Sequence, residues 1–391
     1  MGCAHSSAAT AFESVEVIIS TSDFHSRYVL NKRLGAGAYA VVYSASPVRG
    51  SGGEVAVKIT DLRSPADRSE DCDATDGDPD AIKRAYKEVK VMSAMAGGEN
   101  VCRVIEGFIS EGLAYTVVEK CDRSLVQALE CLPALNERSF RPFIRGMLRG
   151  LDFVHSRGVV HRDIKPDNVL CSGPQNTVKL CDFGLACFLP CAAGAKPCVG
   201  VCGTPPFMAP EMLQQQGSYD EKVDTWSLGV LIYSLCYGSF PYMPKLWTSH
   251  AMQATIARGS PVPPFWPADR RRENPISADM AGLLHGLLRR DAASRLSAPG
   301  ALAHEFFHST ALPELDLRPM LELAKGLSEP AREARERTNR LDIRLRELQG
   351  NLHGARKLVK TSSVGSEVST AMGLRTTSPA WWMDESSSQS D

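Results

Sequence analysis

The sequence has no apolar run long enough to span a bilayer; the longest, from Trp226 to Tyr237, fits a core helix instead. It also lacks a charge excess: a formal net charge of −1 gives no case for a nucleic-acid partner. No secretory leader accompanies the 12 cysteines, so reduced cytosolic thiols are expected rather than a disulfide framework. The acidic stretch Asp71–Asp78 lacks what a calcium loop requires. Its obligatory glycine would fall at Asp76 and its terminal glutamate at Ile82, so residues 64–80 read as a solvated insert. The most telling absence is local: between Leu185 and Cys202 there is no Ser, Thr, Tyr, Asp or Glu. That excludes both a phosphorylated residue and an acidic substitute for one within the segment.

What is present is a dense set of groups suited to phosphoryl transfer. His161-Arg162-Asp163-Ile164-Lys165-Pro166-Asp167-Asn168 is followed fourteen residues after Asn168 by Asp182-Phe183-Gly184. Such transfer proceeds through a loose transition state, so catalysis consists mainly of positioning and charge neutralisation. Asp163 can orient an incoming hydroxyl and accept its proton. Asn168 and Asp182 offer the hard oxygen ligands that Mg²⁺ prefers, and Lys165 can offset charge on the moving group. Upstream, Leu34-Gly35-Ala36-Gly37-Ala38-Tyr39-Ala40-Val41-Val42 is a small-residue turn between β-prone stretches, where backbone N–H groups can approach phosphates. Taken alone it also reads as a hairpin turn without a ligand. Val55-Ala56-Val57-Lys58 reads as a strand ending in a lysine and Lys83–Met92 as a helix carrying Glu88, so that a Lys58–Glu88 ion pair would hold the ammonium on nucleotide phosphates.

Together with Ala209-Pro210-Glu211, Asp224–Val230 and Arg295, these segments resemble the eukaryotic protein kinase family over about 280 of the 391 residues. The resemblance implies an α+β, two-lobed protein kinase fold: a β-rich N-lobe from about Tyr28 to Val118 and a mainly helical C-lobe to about Phe307. It further implies ATP and Mg²⁺ as cofactors, Asp163 as the catalytic aspartate, Asn168 and Asp182 as metal ligands, and Lys58 on the α- and β-phosphates. Adenine is expected at Glu119 and the hinge that follows it, Lys120–Leu125 with Cys121, and Val118 is the small residue guarding the back pocket. Lys165 and Thr204 resemble the serine/threonine-specific branch, with protein hydroxyls as acceptors. A catalytically silent scaffold of the same fold is the alternative, disfavoured by the intact Lys58, Asp163, Asn168 and Asp182. A small-molecule kinase is disfavoured by Gly203–Glu211, which resembles a peptide platform.

Two departures individualise the chain. Ala40 replaces the third glycine of the phosphate-binding turn, which implies a modest effect on nucleotide affinity and no loss of activity. In the family, a phosphate in the activation segment pairs with the arginine beside the catalytic aspartate, here Arg162. Residues 185–202 supply no such partner. They supply cysteines instead: Cys181, Cys187, Cys191, Cys198 and Cys202. Three readings stand: small apolar residues in a partly buried loop, a redox-active thiol pair, or a zinc site with looser spacing than a paired Cys-x2-Cys knuckle.

Outside residues 28–307 the expectations concern anchoring and assembly. In segment 1–27, Met1-Gly2-Cys3-Ala4-His5-Ser6 fits N-myristoylation at Gly2, with Cys3 as a palmitoylation site completing a stable anchor on the cytosolic face of a membrane. Residues 308–330 read as a linker. Over 331–360, Ala334, Thr338, Leu341, Leu345, Leu348, Leu352, Ala355 and Val359 alternate in spacings of four and three on a basic helix. That pattern fits a homodimer, a helix folded back on its own chain, or contact with anionic lipid or a calmodulin-like partner. The Ser/Thr-rich stretch 361–391 reads as a disordered tail.

Overall fold

The computed structural model describes residues 19–20, 23–36, 40–50, 52–63, 78–189, 198–214, 217–265, 276–310 and 312–326, with Leu341 and Leu345. Gly2, Cys3, Gly37, Ala38, Tyr39, Cys191, residues 64–77 of the insert, nearly all of 331–360 and all of 361–391 lie outside the described residues. The chain divides into the units Met1–Leu341 and Asp342–Asp391. In the second, only Leu345 is described, helical and buried.

The small lobe is a six-stranded sheet in the order β1-β5-β6-β4-β3-β2. Its strands are β1 (Ile19–Ser20), β2 (Tyr28–Ala36), β3 (Ala40–Pro47), β4 (Val55–Asp61), β5 (Val104–Ser110) and β6 (Leu113–Glu119). All pairs are antiparallel except β1 with β5. The strands form because β-branched residues fill the ladder, with Val41, Val57, Ile59 and Val117 completely buried. Helix α1 (Phe24–Arg27) precedes the sheet, and its Phe24 ring is fully buried, stacked on Tyr115 at 4.3 Å between centroids. The packed lobe therefore begins before Tyr28, because this aromatic has a place in the core. Helix α2 (Pro79–Ala94) starts where the Asp78 carboxylate caps the Asp80 N–H and Pro79 pre-sets the first turn. Its buried Ala81, Val89 and Met92 recur at helical spacing and seat it on the sheet.

The large lobe is helical: α3 (Leu125–Glu130), α4 (Glu137–Ser156), α5 (Lys222–Tyr237), α6 (Ser249–Arg258), α7 (Ala278–Leu287), α8 (Ala298–Leu302) and α9 (Arg318–Lys325). A reciprocal capping box between Asn136 and Ser139 begins α4, whose Phe140, Phe143, Ile144, Met147, Leu151 and Val154 form one buried stripe. Helix α5 is apolar all round and buried from Val223 to Cys236, the pattern of a helix enclosed on every side. It ends at Gly238 in the left-handed region (φ +67°), where an added Cβ would also meet Leu323 at 2.7 Å. Two small sheets lie at the lobe junction, β10-β9-β7 and β11-β8. Their strands are β7 (Arg123–Ser124), β8 (Val159–Val160), β9 (Val169–Ser172), β10 (Thr177–Leu180) and β11 (Cys187–Phe188).

The two-lobed α+β architecture expected from the motifs is thus present. One boundary differs: residues 312–326, expected as linker, carry α9 and pack on the large lobe. Leu312, Leu317 and Leu321 are buried, and Arg318 donates to the Leu132 carbonyl at 2.9 Å. The one-turn spacing of Leu317 and Leu321 provides the apolar face that docks. Among the described residues no helix is long and apolar enough to cross a membrane.

Candidate active site

The loop from His161 to Asn168 is held from below by one buried carboxylate. Asp224, in the first turn of α5, has no exposure and accepts hydrogen bonds from the His161 N–H, the Arg162 N–H and His155 Nε2, each at 2.8 Å. Burial alone would push its carboxyl up, but the His155 hydrogen bond and charge, with help from His161, hold it below the usual carboxylate value. His161 Nε2 lies 3.0 Å from the Cys181 carbonyl and therefore carries the proton, leaving Nδ1 to accept the Asp163 N–H at 3.3 Å. These bonds fix both walls of the loop while Arg162 adopts φ +69° and Asp182 φ +62°.

Asp163 sits at the centre of a compact polar network. Thr204 Oγ1 donates to Asp163 Oδ1 at 2.7 Å, and Lys165 Nζ lies 2.9 Å from Thr204 Oγ1 and 2.8 Å from Asp163 Oδ2. Asn168 Nδ2 donates to the Asp163 carbonyl at 2.8 Å and to its Oδ2 at 3.1 Å. With both amide hydrogens directed at Asp163, the Asn168 side-chain oxygen is left as an acceptor. The Cys181 N–H donates to the Asn168 carbonyl at 3.0 Å, which ties this loop to the segment leading into Asp182.

On the opposite side, Lys58 Nζ lies 2.7 Å from both Glu88 Oε1 on α2 and Asp182 Oδ1. Burial would lower the Lys58 ammonium, but the Glu88 and Asp182 carboxylates keep it above the usual lysine range. Asp182 experiences the same contest: burial raises it, and the Lys58 charge and hydrogen bond pull it down to about 2. Its side chain nevertheless remains 43% exposed, so an ionised carboxylate faces open space. Gly184 leaves room for this arrangement, since a Cβ there would lie 3.1 Å from Lys58 Nζ. An ionised carboxylate and an amide oxygen on adjoining segments form a hard, all-oxygen donor set that fits Mg²⁺.

Strands β2 and β3 flank the glycine-rich turn, with Gly35 opposite Val42 and Ala36 opposite Val41. Val42 also faces Lys58 across β4, and Ala40 faces Thr60, so Ala40 and Val42 share the lysine's side of the sheet. Val41, expected with the nucleotide-binding residues, does not: period-two alternation turns it to the other face, where it is fully buried. Leu34 is exposed at the rim. Glu119 ends β6 with its carboxylate taken by the Arg103 N–H at 2.7 Å and Lys179 Nζ at 3.0 Å, while Cys121 follows half-buried at the lobe junction.

Arg162, expected to lack a phosphate or carboxylate, meets neutral oxygens. Its Nε donates to the Leu185 carbonyl at 2.6 Å and its Nη1 to the Tyr219 hydroxyl at 3.3 Å; that hydroxyl lies 3.0 Å from the Gly200 carbonyl. Both ends of the cysteine-rich segment are thereby tied to the catalytic loop. Among the described residues no group of three or more His, Cys, Asp or Glu side chains is placed to hold a metal ion, so the zinc reading gains no support there. Further along, Arg295 is completely buried and binds both Glu211 oxygens, at 2.6 and 3.0 Å.

Two residues of this machinery carried no role in the sequence reading. Asp224 had a visible signal, a carboxylate at the head of an otherwise apolar run, which marks a buried polar group with a task. Tyr219 had none, because its partners are distant in the chain.

A protein kinase domain model matches residues 28–307. The chain is 30% identical over 359 residues to a MAP kinase-interacting serine/threonine-protein kinase 2 of Xenopus laevis, covering 84% of this chain and 73% of that one. It is 32% identical over 275 residues to a CBL-interacting protein kinase 11 of Oryza sativa subsp. japonica (70% and 50%). It is 29% identical over 294 residues to a phosphorylase b kinase gamma catalytic chain, liver/testis isoform, of Mus musculus (74% and 68%). With the cleft geometry already described, these similarities show that the chain belongs to the eukaryotic protein kinase family, as a protein serine/threonine kinase.

Proposed function

We propose that this chain transfers the γ-phosphoryl group of ATP to serine or threonine hydroxyls of protein substrates, in the cleft between Lys58 and Asp163. The observation that carries the reading is the simultaneous closure of two networks, Lys58 with Glu88 and Asp182, and Asp163 with Lys165, Thr204 and Asn168. Lys58, braced by Glu88, presents its ammonium to the α- and β-phosphates. Asp163 accepts a hydrogen bond from the substrate hydroxyl in the position now filled by Thr204 Oγ1, orients it in line, and takes its proton. Lys165, already touching that position, offsets charge on the transferred group. Asn168 and Asp182 would hold Mg²⁺, which when bound supplies positive charge along the phosphate chain. Adenine fits against the backbone of Glu119 and Cys121, with Leu34 and Val42 covering it. Replacing Asp163 with Asn should lower kcat by about 10²–10⁴-fold with little change in nucleotide affinity. Equal phosphoryl transfer by both proteins would refute the assignment.

Membrane anchoring through acylated Gly2 and Cys3 is a separate proposal, supported by the Met1–Ser6 pattern. Gly2→Ala should move the protein to the soluble fraction, and unchanged sedimentation with membranes would refute it.

A further inference from the structure

Cys187 and Cys198 come from opposite ends of the segment that lacks hydroxyls and carboxylates, and the fold brings their sulfurs to 2.8 Å. Each backbone is held independently of the other. Cys187 pairs with Val160 in the β8–β11 ladder, immediately before His161, and the Leu189 N–H donates to the Gly158 carbonyl. Cys198 forms an antiparallel bridge with Tyr219, whose N–H donates to the Cys198 carbonyl at 3.1 Å. The sulfurs thus meet because two separate pairings place them together, well inside ordinary non-bonded contact and within about 0.8 Å of the covalent S–S length of about 2.05 Å. Both thiols are mostly buried, at 9% and 6% exposure, while Val199 and Val201 beside Cys198 are exposed. A small oxidant reaches such a pair more readily than a bulky one.

The electrostatics favour reaction at one sulfur. The hydrogen bond from Cys198, aided against burial by the Arg162 guanidinium, pulls the Cys187 thiol down to about 7, and the same bond pushes Cys198 up. A thiolate beside a protonated thiol is the arrangement in which the first acts as nucleophile and the second resolves the product.

We propose that Cys187 and Cys198 form a reversible disulfide on exposure to a hydroperoxide, and that this bond holds the activation segment in its catalytic arrangement. In the first step the Cys187 thiolate attacks the peroxide O–O bond, forming a sulfenic acid and releasing hydroxide. In the second, Cys198 sulfur attacks the sulfenic sulfur, the S–S bond forms, and the S–O bond breaks to release water as the thiol proton is lost. Two thiols are oxidised by two electrons in total and hydrogen peroxide is reduced to two waters; a dithiol reverses the change by exchange.

The direction of the effect follows from what is already assembled around the pair. With the sulfurs at 2.8 Å, Lys58 contacts Glu88 and Asp182, Thr204 contacts Asp163, and Arg162 reaches both Leu185 and Tyr219. Closing the bond requires little further movement, so it selects this arrangement over those in which the segment has separated from the loop. The disulfide would occupy the role that a segment phosphate, impossible by sequence, cannot fill. This activating consequence rests on the kinase reading; formation of the bond does not.

The test uses the full chain, reduced with a dithiol and then treated with hydrogen peroxide. Free thiols are alkylated before digestion with chymotrypsin, which cleaves after Phe188 and so separates the two cysteines. The expected result is a linked Cys187–Cys198 peptide pair that disappears on dithiol treatment, with phosphoryl transfer to a protein substrate at least about threefold higher in the oxidised form. Cys187→Ala and Cys198→Ala should each abolish the link and the redox response while keeping the activity of the reduced protein. If one variant fails to fold, the other serves. Absence of the link, a dominant link from Cys187 to another cysteine, or lower transfer in the linked form would overturn the proposal. Because peptide mapping needs no catalysis, a protein that forms the link yet transfers no phosphoryl group in either state would instead indict the kinase reading and the activating role built on it.

Discussion

Asp224→Asn isolates the contribution of the carboxylate beneath the catalytic loop. The substitution is nearly isosteric, so no cavity forms, but one oxygen becomes an NH2 group. Two of the three donors, the His161 N–H and His155 Nε2, share Oδ2, while the Arg162 N–H uses Oδ1 alone. The less costly orientation places the NH2 at the Oδ1 position, leaving one buried backbone N–H facing another donor, which costs about 1–3 kcal/mol. The two remaining bonds weaken from charge-assisted to neutral. A total near 2–4 kcal/mol follows, or a fall in melting temperature of about 3–7 °C for a domain of this size. Asp224→Ala loses all three bonds and should cost about 4–6 kcal/mol. The dependence on pH has a definite sign. The folded carboxyl lies below its ordinary value, so the difference between wild type and Asp224→Asn is full above the unfolded value of about 3.9 and is lost as pH falls through the folded value. Because Arg162 and Asp163 are adjacent, kcat should fall by about tenfold or more while KM for ATP changes little. Thermal melts and steady-state kinetics check both parts. A variant melting within about 1 °C of wild type with unchanged kcat would show that the carboxylate is not the anchor inferred here.

Gly203→Ala should be disproportionately harmful for one added methyl group. Gly203 has φ +99°, and a Cβ there would lie 2.5 Å from the Arg162 carbonyl and 3.6 Å from Asp163 Oδ1, so a stability loss of about 2–4 kcal/mol and strongly reduced kcat are expected in denaturant titration and transfer assays. Arg295→Leu removes a fork that binds both Glu211 oxygens and the Lys222 carbonyl and stacks over Trp226, leaving Glu211 without its partner; melts should show a loss of about 3–5 kcal/mol. Arg295→Lys should recover little of it, because an ammonium cannot reproduce the planar fork.

The parts of this enzyme legible in its sequence are those whose chemistry compresses them into short stretches. The candidate base Asp163, the candidate amide ligand Asn168 and Lys165 fall within His161–Asn168, and the candidate carboxylate ligand Asp182 within Asp182–Gly184, because loop geometry allows such groups to converge only at fixed short spacings. The apolar, all-round pattern of Trp226–Tyr237 likewise announced an enclosed helix, and the Lys58–Glu88 contact expected from the kinase-like set of segments is made at 2.7 Å. Alternation within β3 was legible in principle, yet grouping Val41 with the nucleotide turn ignored it. The ends of the small and large lobes were harder to read, because one aromatic at Phe24 and one leucine pair at Leu317 and Leu321 reveal their docking only where a complementary surface exists.

By itself, then, the sequence determined the reaction class, the short segments in which its candidate residues lie, and the impossibility of a phosphate between Leu185 and Cys202. Only the tertiary structure decided what meets Arg162 and which two cysteines come together. The reason is physical: Leu185, Cys187, Cys198 and Tyr219 reach the catalytic loop through the β8–β11 ladder and the Cys198–Tyr219 bridge, long-range pairings whose partners no local periodicity encodes. Three readings of the cysteines were compatible with their spacing, the zinc site least so. The 2.8 Å approach of two sulfurs beside a guanidinium favours one of them.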